Sequence, residues 1–337
     1  MSAMDKETSP QPEASVLIVN PRSGGGKAVR HDLVAECSAR GVEPIVLGPD
    51  DDAAVVAAAA ASGGAAVIGV AGGDGSQSAV AAVAAQHDVA FVCVPAGTRN
   101  HFAYDLGINR HDVVGALDAF VNGDERRVDL GCMNGRMFLN NASMGWYGKV
   151  VQSRAYRDAK LKTVLEMLPE LIAPRAEPFS LRFSGPGGRR YTAVHLLLVS
   201  NNAYDLDHPS LDGSRDGIDH ATLGVIAARI GLGKELVPFR SLGAVGDEFH
   251  GWTGWTVPTF RVDADGEVDL GLDGEAVKVA PPLLFESLPL ALRVRVPAHR
   301  HGRRPLAQPA GPGRSETAPT RPPGAAAHDD QPAPGPR

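Results

Sequence analysis

Short apolar runs alternate with alanine-rich or amphipathic stretches through the first third of the chain. Ser15 to Val19, Glu43 to Leu47, Ala65 to Ala71 and Ala90 to Val94 are each too short for a helix and are bounded by turn residues. They read as strands. Between them Val29 to Arg40, Asp51 to Ser62, Gln77 to Gln86 and His111 to Val121 read as helices, with Asp50 as the cap of the second. Strand and helix alternating at this spacing predict a doubly wound, mostly parallel sheet.

The pattern changes near residue 125. Arg126 to Met133 and Arg136 to Ser143 flank Asn134-Gly135, a strong hairpin signal. Val150 to Ile172 reads as one long helix and Leu232 to Leu242 as a helical insertion. The other runs read as strands: Pro178 to Phe183, Tyr191 to Ser200, Ala221 to Ala228, Trp252 to Val257, Thr259 to Val262 and Glu267 to Leu272. The fold class expected is therefore α/β followed by a C-terminal antiparallel β-rich domain. The divisions are a leader at 1–14, an α/β domain at 15–125, a β-rich domain at 126–282, a strand at 283–298 returning to the first domain, and a tail at 299–337. That tail holds nine of the 26 prolines and six arginines, with almost no large apolar residues, so it is expected to be disordered.

Composition narrows the picture little. A chain of 337 residues favours two domains. The net charge of −6 gives no reason to expect nucleic acid. Cys37, Cys93 and Cys132 are scattered within apolar patterns and read as buried thiols of a reducing compartment. Met1 to Glu13 lacks the apolar core of a signal peptide, and no apolar run reaches the length of a membrane span. The expected location is cytoplasmic, with peripheral contact to the inner membrane face.

The chemistry lies in three glycine turns, each following a strand. They are Asn20-Pro21-Arg22-Ser23-Gly24-Gly25-Gly26-Lys27, Gly72-Gly73-Asp74-Gly75-Ser76 and Pro95-Ala96-Gly97-Thr98-Arg99-Asn100. Ligands of open α/β sheets bind at the carboxyl ends of strands. A strand, a glycine turn and then a helix point free N–H groups at an anion. Asp74 adds negative charge where phosphates would sit, and a magnesium ion reconciles the two. A P-loop fails, because Ala28 follows Lys27 where Ser or Thr is needed. No dinucleotide fingerprint follows the first strand either.

These stretches resemble the diacylglycerol kinase catalytic family, which is related in fold to NAD kinases and sphingosine kinases. Asn20 to Gly25 is similar to its first nucleotide turn. Gly72 to Ser76 matches its G-G-D-G-T signature, with Ser for Thr. Pro95 to Ala103 resembles its P-x-G-T-x-N-D-F-A segment, with His101 in place of Asp. Leu272-Asp273-Gly274-Glu275 resembles its late D-G-E motif. The resemblance spans residues 15 to 297.

The resemblance implies ATP as phosphoryl donor, Mg²⁺, and a lipid acceptor at the membrane surface, diacylglycerol first. It implies that Asn20, Arg22, Ser23, Gly24, Gly25, Gly72, Gly73, Asp74, Gly75, Ser76, Thr98 and Asn100 line the nucleotide, with Asp74 near the metal. Glu275 is the implied proton acceptor and Asp273 its support. Period-two alternation would put Asp269, Asp273 and Glu275 on one strand face. The family's structural metal loop has its nearest equivalent in Arg215 to Asp219. There Asp216 and the carbonyls of Gly213 and Ile218 are the candidate ligands, and a turn without metal is the even alternative. Arg154, Arg157, Lys160 and Lys162 form a basic run that could meet anionic headgroups. The alternatives are a kinase of the same fold acting on a sphingoid base, a glycolipid or NAD, and a non-catalytic nucleotide-binding protein. A homodimer is left open.

Overall fold

The computed structural model describes residues 14–145, 179–192, 194–204, 215, 217–229 and 251–298. The leader up to residue 13, the expected helices at 150–172 and 232–242, the basic run, Gly213, Asp216 and the tail from 299 lie outside the described residues.

β1 (Ser15–Val19) pairs in parallel with β2 (Glu43–Val46) on one side and β3 (Val67–Gly72) on the other, and β3 pairs in parallel with β4 (Ala90–Pro95). β1 and β3 run side by side but connect in opposite directions along the sheet. The crossovers carry α1 (Lys27–Arg30), α2 (Leu33–Ala39), α3 (Ala53–Ser62), α4 (Asp74–Gln86), α5 (His101–Asp105) and α6 (Asp118–Asn122). β3 and β4 are buried along their whole length, which is why they read as unbroken apolar runs.

Then the chain turns antiparallel. β5 (Gly123–Met133) and β6 (Arg136–Phe138) form a hairpin at the expected turn, with Asn134 at φ 48° and Gly135 at φ 80°, but the strand expected from Arg136 to Ser143 breaks after Phe138. β7 (Asn141–Gly145) opens a second sheet. Next come β8 (Phe183–Ser184), β9 (Arg190–Tyr191), β10 (Leu196–Asn201), β11 (Leu223–Arg229), β12 (Gly251–Val257), β13 (Thr259–Val262), β14 (Val268–Leu272), β15 (Glu275–Val279) and β16 (Leu283–Pro297). The first sheet runs β2-β1-β3-β4-β16-β5-β6, with β13 also on β16. The second is antiparallel throughout, in the order β12-β11-β10-β7-β14-β15.

β16 lies in the first sheet, where Val294 and Arg295 run parallel to Phe91 and Val92 of β4. Its two halves serve different cores. Leu283 and Phe285 bury among the side chains of the second sheet, and Leu292, Val294 and Val296 among those of the first. Between the halves its register against β5 slips, and Leu290 takes φ 51°. Buried Asp129 holds this junction. One carboxylate oxygen accepts from Leu290 N at 2.8 Å, and the other from Ala221 N at 2.7 Å and Asn202 Nδ2 at 3.1 Å.

Several local expectations are corrected. The helix at 29–40 breaks at Asp32, which adopts φ 44°. Asp52, not Asp50, caps α3, accepting from Ala54 N at 2.8 Å. The helix expected at 111–121 reduces to a 3-10 turn and the five residues of α6. The strands expected at Pro178 to Phe183 and Tyr191 to Ser200 shorten to Phe183–Ser184 and Leu196–Asn201. The three thiols are buried and free, and burial pushes Cys37 up to about 11.

An exposed seam gives a pH test. On β5, Glu125 accepts from Arg293 Nε at 2.8 Å and Arg295 Nε at 3.1 Å on β16, and these guanidiniums hold its carboxyl below the usual range. A depressed carboxylate stabilises the fold above its unfolded pKa and loses that contribution as pH falls through the folded value. Glu125→Gln therefore costs about 0.5–1 kcal/mol at pH 7, since the pair is partly solvated, and nothing in strong acid. Urea midpoints at pH 7 and pH 3 check this.

Candidate active site

The three glycine turns meet. α4 begins at Asp74, so the second turn is itself the entrance to a helix of 13 residues, with Gly73 as its N-cap. Its first N–H groups have no helical partner and face outward from the sheet end. Buried Gln77, one turn in, donates to the carbonyls of Val70 at 3.0 Å and Val94 at 2.9 Å, tying β3 to β4 beneath the turn.

Glycine is required where the turns touch. A Cβ on Gly97 would collide with Gly73 Cα and stand 3.0 Å from Gly73 N. A Cβ on Gly24, which has φ 55°, would collide with the Ala96 carbonyl oxygen. The backbones therefore approach with no side chain between them. Asn20 Nδ2 donates to Ser76 Oγ at 3.2 Å, linking the first turn to the second. Lys27 Nζ donates to Gly97 O at 2.8 Å, linking the first to the third.

The remaining expected residues fall as follows. Ser23 and Gly24 lie in a single 3-10 turn with Gly25, whose carbonyl accepts from Arg30. Arg22 reaches the loop before α3, where it donates to Pro49 O at 2.9 Å. Thr98 is exposed beside the third turn. Asn100 does not cap α5 with its side chain. It folds back to accept from Gly97 N at 2.9 Å and to donate to Pro95 O at 3.2 Å, fixing the third turn's shape. His101 meets Asp74 through its backbone, whose N–H donates to Asp74 Oδ1 at 2.9 Å.

The late motif arrives from the second sheet. Asp273 and Gly274, at φ 47° and 90°, form a two-residue turn that pairs Leu272 with Glu275. Asp269, Asp273 and Glu275 do not lie along one strand as expected, because the chain reverses after Leu272 and Asp269 belongs to the outgoing strand. Convergence comes from the turn instead. Glu275 Oε1 lies 2.9 Å from the point a Cβ on Gly75 would occupy, so this exposed carboxylate stands over the first turn of α4, one residue from Asp74. Residues about two hundred positions apart are thereby brought together.

Asp273 sits deeper. Leu139 N donates to one of its oxygens at 2.7 Å, and Asn140 N and Asn141 N donate to the other at 2.8 and 2.9 Å. The Ser78 hydroxyl of α4 donates as well. Burial holds the carboxyl above its usual range, and these four donors offset that only in part. Lys27 and Gln77, read only as the end of a turn and the start of a helix, together with Ser78 and the corner at 139–141, were not assigned to the site from the sequence. Lys27 left a signal by closing the first glycine turn, and Ser78 by standing on α4 one helical turn past the second.

Among the described residues no three His, Cys, Asp or Glu side chains gather as a metal cluster. Of the expected metal loop, Ile218 is described, and its carbonyl accepts from Asp129 N at 2.7 Å. Arg215 brings a cation of its own. It is buried and ion-paired with Asp105 at 2.6 Å.

Residues 14–133 match the family model described as the diacylglycerol kinase catalytic domain. The chain is 34% identical over 316 residues to a diacylglycerol kinase of Mycobacterium tuberculosis, covering 84% of this chain and 94% of that one. It is 31% identical over 165 residues to a diacylglycerol kinase of Bacillus subtilis, covering 45% of this chain and 52% of the relative. Two solved chains from Bacillus anthracis share the fold. One has TM-score 0.63 at 20% identity, covering 84% of this chain and 97% of that chain. The other, a diacylglycerol kinase, has TM-score 0.58 at 19% identity, covering 86% and 98%. With the glycine turns, their aspartate and the late glutamate brought together, and a relative matched nearly end to end, the chain belongs to the diacylglycerol kinase family.

Proposed function

We propose that this kinase transfers the γ-phosphoryl group of ATP to the hydroxyl of diacylglycerol, giving phosphatidic acid. The observation that carries the reading is Glu275 standing over Gly75 at the mouth of the three glycine turns. The backbone N–H groups that open α4, together with Gly24, Gly25, Gly72, Gly73 and Ser76, would hold the phosphates, with Asn20, Arg22, Ser23, Thr98 and Asn100 around the nucleotide. Lys27, already in the cleft, adds positive charge. Glu275 accepts the proton of the attacking hydroxyl as its oxygen bonds to the γ-phosphorus, and the bond to the bridging oxygen breaks to release ADP.

Magnesium prefers one or two carboxylates plus substrate phosphates over an all-protein cage. One aspartate in a glycine cleft fits that habit, so Asp74 would hold an ion that neutralises phosphate charge when bound. No helix among the described residues is long and apolar enough to cross a membrane. In this reading the lipid is taken from the cytosolic face of a bilayer, by a monomer or a homodimer.

The test is transfer of label from γ-labelled ATP to diacylglycerol in mixed micelles, beside a panel of sphingoid base, glycolipid and NAD. Labelled phosphatidic acid is expected. Asp74→Asn lowers the rate about 10²-fold or more, by analogy with loss of other charge-stabilising groups, with an unchanged melting temperature. Labelling of NAD without any lipid product would overturn the lipid assignment, and ATP binding without transfer to any acceptor would overturn the enzyme.

A further inference from the structure

Arg215 is the most enclosed cation of the described chain, with a side chain wholly removed from solvent. Its guanidinium meets oxygen on every side. Nε and Nη2 donate to Asp105 Oδ2 at 2.9 and 2.6 Å. Nη1 donates to Leu139 O at 2.6 Å and Asn201 O at 2.7 Å, and Nη2 also to Asn140 Oδ1 at 3.1 Å. Its backbone N–H donates to Asp105 Oδ1 at 3.2 Å. One side chain thus joins the end of α5, the corner between β6 and β7, and the end of β10.

Both ends of this brace lead to the cleft. Asp105 closes α5, and His101, which opens α5, donates its N–H to Asp74. On the other side, Leu139 O and Asn140 N are two ends of a single peptide group. The oxygen accepts from the guanidinium while the N–H donates to Asp273 Oδ1 at 2.8 Å. A cation pulling on that carbonyl polarises the amide and strengthens its N–H as a donor. The planar fork matches this set of acceptors in a way an ammonium does not.

We propose that Arg215 is a positioning residue that couples the Asp74 turn to the Asp273 corner, holding the two halves of the cleft at the separation that transfer requires. It rests on the reading of these carboxylates as the site of phosphoryl transfer. Arg215 touches no reacting atom in this scheme. It acts through α5 on one side and through the 139–140 peptide on the other.

The experiment compares Arg215→Gln and Arg215→Lys in the full chain, with two readouts. In steady-state transfer, Arg215→Gln loses about 10²-fold in kcat with KM for ATP changed less than about threefold, as misplacement costs when binding groups remain. Arg215→Lys recovers only a minor part, and millimolar methylguanidine restores part of the Arg215→Gln rate. In amide hydrogen exchange, the N–H groups of His101, Asn140 and Asn141 lose protection together, while those of β3 and β4 keep theirs. A brace of stability alone would lower the melting temperature and leave the folded fraction's kcat intact, which overturns the proposal. If Arg215→Gln does not fold, Arg215→Lys decides, and unchanged kcat and protection in it overturn the proposal. If the wild-type chain transfers phosphate to no lipid, the functional reading fails, and the exchange readout still judges the coupling by whether both sides loosen together.

Discussion

Glu275→Gln lowers the rate of phosphoryl transfer about 10²–10⁴-fold, the range expected when a general base is removed, while the protein keeps its melting temperature and its affinity for ATP. The side chain is exposed and belongs to neither hydrophobic core. The β14–β15 pairing that carries it is made by the backbone from Leu272↔Glu275 to Val268↔Val279 and is untouched. The amide has the shape of the carboxylate and none of its basicity, so only the proton-accepting role is removed. Nucleotide affinity should hold, because the glycine turns and the first turn of α4 are intact. Single-turnover rates with ATP and diacylglycerol, beside an ATP titration, separate the two quantities. Unchanged single-turnover chemistry in the folded variant would mean that the hydroxyl's proton leaves by another route.

Gly97→Ala is the second large effect, and it acts on binding. The added methyl would drive into Gly73 Cα and stand 2.8 Å from Asn100 Oδ1. The obstacle on one side is backbone, pinned by β3 and β4, so no rotamer relieves it. The turns must part, at a cost of about 1–3 kcal/mol typical of overpacking. The N–H groups they aim at one ligand then diverge, and affinity for ATP falls about 10–100-fold if roughly the same energy is lost from binding. Gly266→Ala is the control. Its Cβ would meet nothing within 4 Å and its φ is ordinary, so both stability and affinity should be unchanged. Calorimetric titration with ATP, alongside urea unfolding of both variants, checks the contrast.

The difference between these substitutions bears on how much of the site could be read from residues alone. Gly72 to Ser76 could be placed at a strand end because the apolar run before it and the alanine-rich run after it are local signals. The Asn134-Gly135 hairpin was legible for the same reason, since two residues with positive φ suffice to set it. Asp273-Gly274 carries that same signal, yet the alternation of acidic residues around it concealed the reversal. Helix ends were less legible. Asp50, Asp51 and Asp52 are chemically equal candidates for a cap, and only backbone geometry distinguishes Asp52.

What the amino-acid order by itself determined was the set of short-range features. These are the buried parallel strands β1, β3 and β4 and the three glycine turns at their ends. Each follows from side-chain size and from backbone freedom within a few residues. Only the tertiary structure decided which distant groups meet. It set Glu275 over Gly75, aimed three consecutive N–H groups of the 139–141 corner at Asp273, and enclosed Arg215 among oxygens from three separate elements. The reason is that such contacts depend on the register between strands far apart in the chain, and on how two cores share β16. No local propensity encodes either one.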